Sequence, residues 1–226
     1  MRKITRKALT VSAVAASTVA LTALPAAAAT GISLPGVTTS PAAITGQNNG
    51  SVVAFNTRSG AVLTCTTLTA AGTVKLGTNV STPEAQVTGL TFSNCTVNGL
   101  TATVTAQNLP WSLSTTNITA SGVTPGKLTG VRVAVNIPSL SCTATFQGST
   151  ATNGEIAGTH TNPASAGAPS KLSLPFGAAN NLRATGVSAA CPASLVLPND
   201  GASLAGVVDL RGVSSTGNEG PTVIRT

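Results

Sequence analysis

The feature that most constrains this chain is a two-residue alternation of apolar and polar side chains, repeated in short runs. Val131, Val133, Val135 and Ile137 alternate with Arg132, Ala134 and Asn136. Leu140, Cys142, Ala144 and Phe146 alternate with Ser141, Thr143, Thr145 and Gln147. The same holds for Leu100 to Ala106 against Thr101, Thr103 and Thr105, and for Leu204, Gly206, Val208 and Leu210 against Ala205, Val207, Asp209 and Arg211. Successive side chains of a strand point to opposite faces, so each run sets an apolar face inward and a Thr/Ser or charged face outward. Thr and Val suit such half-buried strands. Turn-forming residues separate the runs: Asn48-Asn49-Gly50, Ser59-Gly60, Asn98-Gly99, Pro125-Gly126, Asn153-Gly154 and Asp200-Gly201. Asn98-Gly99 and Asp200-Gly201 are the sharper hairpin signals. No segment after the N-terminal stretch carries a helical stripe over three turns. The pattern predicts an all-β fold, an antiparallel β-sandwich or irregular barrel.

The first 29 residues read as an export signal. Arg2, Lys3, Arg6 and Lys7 precede an apolar stretch from Ala8 to Leu24, and Ala26 to Ala29 offer a small-residue cleavage site after Pro25. General secretion fits better than the twin-arginine route. Residues 30–50, rich in Gly, Pro, Thr and Asn, read as a flexible N-terminal arm or a loose edge segment. Residues 51–226 read as a single all-β domain. Residues 149 to 170 hold almost no large apolar side chain and suggest a long loop or a polar hairpin.

Charged residues make up 8% of the chain, against roughly 25% in an ordinary globular protein. The formal net charge is +7, but beyond residue 29 only eight Lys/Arg face five Asp/Glu. The eight are scattered singly, with no basic run and no interleaved aromatics. Nucleic-acid binding is therefore not expected. Nor is a membrane role once the signal is removed.

The four cysteines are Cys65, Cys95, Cys142 and Cys191. An even number in an exported chain reads as two disulfides. Three pairings are open. Cys65–Cys95 with Cys142–Cys191 is favoured, because neighbouring strands of a meander are usually neighbours in space. No Cys-x-x-Cys pair exists and His160 is the sole histidine, so no metal site and no cofactor is expected.

The candidates for catalysis are few. A Ser-His-Asp arrangement must use His160, which falls in the Gly-rich 154–167 segment and reads as an exposed loop residue. A glycosidase pair must be drawn from Glu84, Glu155, Asp200, Asp209 and Glu219. A Lys–Asn crosslink would need Lys127 and Asn136 beside a buried acid, and none is evident. Trp111 is the only tryptophan. It reads as a core residue of an edge strand, with partner contact as the alternative. No catalytic residue is assigned.

The order of short motifs resembles a group of small secreted four-cysteine β-proteins of actinobacteria with no assigned activity. The motifs are Phe92-Ser93-Asn94-Cys95, then Leu109-Pro110-Trp111, then Cys142-Thr143-Ala144-Thr145-Phe146, then Cys191 ahead of Asn199-Asp200-Gly201. The resemblance covers roughly residues 60 to 212. It implies an extracellular or loosely wall-associated β-protein and transfers no site. Together these readings point to a secreted, non-enzymatic structural or binding protein that meets a protein, a wall polymer or another copy of itself, in part by strand-edge pairing. The alternative is an inhibitor or toxin-like effector that inserts its 149–170 segment into a partner.

Overall fold

The computed structural model describes residues 29–226. Apart from Ala29, the signal reading lies outside the described residues. The strands are β1 (Thr30–Ser33), β2 (Ala42–Asn48), β3 (Val52–Asn56), β4 (Val62–Val74), β5 (Ala85–Val97), β6 (Leu100–Ala106), β7 (Trp111–Thr115), β8 (Val123–Thr129), β9 (Arg132–Ile137), β10 (Cys142–Gln147), β11 (Glu155–Thr161), β12 (Ser170–Leu174), β13 (Arg183–Thr185), β14 (Ala202–Gly212) and β15 (Thr222–Arg225). Strands β2, β4, β5, β7, β8, β11, β12 and β14 close an eight-stranded antiparallel barrel.

The remaining strands of the sheet extend this ring along its axis. β2 and β3 pair in turn with one strand, β4, from Ala42↔Val74 to Phe55↔Val62. They are two halves of one bent strand. β6 and β7 likewise share β5 as partner. β8–β9 lie along β7–β6, and β10–β11 along β9–β8. β12 and β13 complete the pattern against β11 and β10. β13 reaches β14 through the Arg183↔Gly201 bridge and the bond from the Ala184 N–H to the Asp200 carbonyl, 2.8 Å. Eight long strands thus run up and down in chain order, and β14 returns to β2 and β3. At about 3.3 Å per residue the 13-residue strands β4 and β5 would span about 43 Å when straight.

The joints in these strands decide which turn signals reverse the chain. Asn98 and Gly99 both hold positive φ and make the two-residue β5–β6 hairpin. Ser59-Gly60 turns β3 into β4. Asn48-Asn49-Gly50 does not reverse the chain; it is a bulge between β2 and β3. The Asn48 side chain spans the gap, its amide donating to the Thr66 carbonyl (2.8 Å) and its oxygen accepting from the Leu68 N–H (2.8 Å). Asp200-Gly201 is not a hairpin either, since it runs on into β14. Pro125-Gly126 lies inside β8. Gly154 leads into β11 where a Cβ would stand 1.9 Å from the Val131 carbonyl oxygen, so only glycine fits there.

The core is a column of small side chains inside the barrel. An upper cluster of Ile32, Leu34, Ala42, Ile44, Val74 and Val223 is closed over by the β1–β15 ladder. A middle cluster holds Trp111, Leu128, Val131, Ile156, Leu182 and Ala202. The lower cluster contains Cys65, Cys95, Val97, Val135, Ile137, Cys142 and Ala184. Both disulfides sit there, Cys65–Cys95 across β4 and β5 and Cys142–Cys191 from β10 to the β13–β14 connection. That connection lays Leu195 and Val196 over the lower end.

Two segment readings change. Residues 30–50 are not a free arm. Ala42 and Ile44 alternate inward with exposed neighbours, and that short pattern places β2 between β4 and β14. Residues 149–170 are not one loop: Glu155–Thr161 forms β11, which makes an antiparallel hairpin with β12, placed in the barrel wall and not on its rim. The inward positions of β11 are Ile156, Gly158 and His160, too little apolar surface for the strand to be recognised from sequence.

Candidate functional site

The outer wall divides into two unlike halves. Across β4, β5, β6, β9 and β10 the only charged side chain is Arg132. Inward positions there carry Val, Leu, Ala, Cys and Phe, so hydroxyls are left facing out. Register aligns them in rows. One runs Gln47, Thr69, Thr91, Thr105, Ala134, Thr145, Thr185 across seven strands. Another contains Thr103, Asn136 and Thr143. Adjacent members lie about 4.8 Å apart. Thr69, Thr91, Thr103, Thr105 and Thr143 are exposed. The opposite half, β8, β11, β12 and β14, carries ion pairs instead: Lys127 to Glu155 at 2.9 Å and Lys171 to Asp209 at 2.7 Å.

Near the lower end, a surface groove of about 630 Å³ is lined by Thr57, Arg58, Phe176, Asn180, Arg183 and Asn199, among others. Asp200 is its structural anchor. Its carboxylate accepts from Arg58 Nε (2.6 Å), Asn56 Nδ2 (2.7 Å) and the Leu197 N–H (2.7 Å). The Arg58 contact above all holds the Asp200 pKa down at about 2, against the effect of burial. Phe176 is 66% exposed and meets Phe55 edge-on, with ring centroids 5.0 Å apart.

The upper lumen contains a small cavity of about 70 Å³, walled by Ile44, Val74, Leu113, Leu172 and Leu210 with Glu84 and His160 among its polar residues. Glu84 accepts from the Thr115 hydroxyl at 2.7 Å and lies 3.9 Å from Arg225. His160 pairs across the wall with Thr124 and Leu172 and faces inward. Both of its ring nitrogens are buried without a hydrogen-bond partner. The Pro221 carbonyl favours the charged ring weakly but makes no bond of good geometry, and burial drives the pKa down to about 4. His160 is therefore not the exposed loop residue expected from the sequence. A second, apolar cavity of about 110 Å³ lies lower in the lumen.

The other sequence candidates are not brought together. Glu155 and Asp209 form outer ion pairs, Glu219 accepts from the Gly167 N–H at 2.8 Å, and Glu84 and Asp200 belong to opposite ends of the barrel. Lys127 lies beside Glu155 on β8, whereas Asn136 is on β9 in the other half of the wall. Trp111 is 3% exposed, with its Nε1 donating to the Gln107 carbonyl at 2.8 Å. It is a core residue between β5 and β8, neither on an edge nor open to a partner. Neither the groove nor the hydroxyl rows are legible in the sequence, because Arg58, Phe176 and Arg183 are far apart along the chain and rows exist only once register is set.

Comparison with protein-family models, with curated proteins and with solved structures returned no match.

Proposed function

We propose that this is an exported, non-catalytic binding protein that holds a hydroxyl-rich polymer, such as the glycan of a cell wall, against the uncharged half of its barrel. The observation that carries the reading is the aligned Thr rows on a face with one charged residue. Such a face offers donors and acceptors at a regular spacing with little desolvation of charge. Two disulfides support an oxidising, extracellular setting. Strand-edge pairing is less favoured, since closure gives the strands of the large sheet neighbours on both sides, β13 through the single Arg183↔Gly201 bridge. With β11 in the wall, the effector reading also loses its long inserting loop.

The test is co-sedimentation of the mature protein with purified wall glycan. A variant with Thr69, Thr91 and Thr105 each changed to Glu should stay in the supernatant while keeping its β-sheet circular dichroism. A wild-type protein that never pellets, or a triple variant that pellets equally, refutes the reading.

A further inference from the structure

The row of outward side chains beside the Thr row is different in kind. Gln107, Arg132, Gln147 and Arg183 stand side by side on β6, β9, β10 and β13: the Gln107 N–H bonds the Arg132 carbonyl, and Gln147 pairs with Arg132 on one side and Arg183 on the other. Neither arginine lies within ion-pair distance of a carboxylate among the described residues; the four ion pairs belong to Arg58, Lys127, Lys171 and Arg225. Arg183 spends one donor on the Leu182 carbonyl at 2.7 Å and is otherwise exposed, whereas Arg132, Gln107 and Gln147 are half-buried, with the Arg132 Nε and both glutamine side-chain oxygens buried without a hydrogen-bond partner. No Asp or Glu occurs on β4, β5, β6, β9, β10 or β13. This flank is thus positive without compensation, in a molecule that pairs most of its other charges.

Arg183 also lines the end groove, together with the exposed Phe176 ring, the amides of Asn180 and Asn199, and the Arg58–Asp200 ion pair, whose two charges offset each other. A groove of this volume matches a ligand of one or two sugar units. An aromatic face, planar amides and a guanidinium are the groups that recognise a sugar ring and an attached anion. The two guanidinium-bearing strands are separated by β10, so their backbones are about 9.6 Å apart. They would meet successive anionic groups along a chain.

We propose that the groove and the Arg132–Arg183 row form a site for an anionic glycan, a sugar chain bearing carboxylate or phosphate groups, whose neutral hydroxyls continue over Thr185, Thr145 and Thr105. This rests on the hydroxyl-face reading and adds the charge of the ligand to it. The carboxylate or phosphate accepts hydrogen bonds from the arginines, and a sugar ring packs on Phe176.

The experiment is calorimetric titration with three probes: polygalacturonate, a polyol-phosphate polymer and neutral dextran. The expected result is binding to one or both anionic polymers and weaker binding to dextran. Arg183→Ala and Arg132→Ala should each weaken the anionic complexes roughly tenfold, and added salt should do the same. Phe176→Ala should weaken them too, whereas Lys127→Ala on the opposite flank should not. Carboxylate-only or phosphate-only binding identifies the source of the anion. Equal affinity for dextran with no effect of the arginine changes overturns this site and leaves the hydroxyl face standing. Failure of all three probes, with the protein still pelleting on wall glycan, overturns the anionic site alone.

Discussion

Acidification from pH 8 to 4.5 should weaken this protein through one side chain, His160. His160 has a pKa of about 4 in the barrel against 6.5 when unperturbed, and burial is the main cause. Below pH 6.5 the unfolded chain takes up a proton that the native ring still refuses. Stability attributable to His160 is therefore full above pH 6.5 and drains away as pH falls toward 4. The difference corresponds to roughly 2–3 kcal/mol by pH 4.5, a large share of a typical 5–15 kcal/mol total. Asp200 acts in a lower window. Its folded pKa of about 2 lies below the usual 3.8, so its contribution is present above pH 3.8 and lost toward pH 2. Urea unfolding with the disulfides intact, followed by Trp111 fluorescence between pH 8 and 4.5, isolates the histidine. His160→Leu removes both unpartnered nitrogens, so its stability should fall by roughly 2–3 kcal/mol less than wild type over that range. Equal losses in the two proteins, or an imidazole that titrates by NMR near 6.5, would refute the reasoning.

Replacing the Cys142–Cys191 pair with alanines should cost about 4 kcal/mol by loop-closure entropy. It should also make the 186–198 connection the first site of proteolysis, because that disulfide tethers it to β10. The Cys65–Cys95 replacement should cost a similar amount without opening a new cleavage site, since β4 and β5 remain paired over their length; peptide mapping distinguishes the two. Trp111→Ala should cost about 3–5 kcal/mol, measured by calorimetry, since the indole fills the middle of the lumen and its N–H donates to the Gln107 carbonyl.

The chain by itself determined the β-class, the inward face of most strands, the disulfide partners favoured by proximity and the Asn98-Gly99 hairpin. All of these follow from local chemistry: a period of two sets a face, and an Asn-Gly pair accepts positive φ at both positions. Closure was decided elsewhere. Asn48-Asn49-Gly50 has the same turn chemistry as a hairpin, yet it becomes a bulge because β4 continues past it as a shared partner. β11 carries a weak pattern of its own and is a strand because β8 and β12 supply its hydrogen bonds. His160 is buried for the same reason, and Arg132 and Arg183 stand in one row because β10 lies between their strands. Register between distant segments made these arrangements, and a local pattern carries no information about which distant backbone will satisfy its hydrogen bonds.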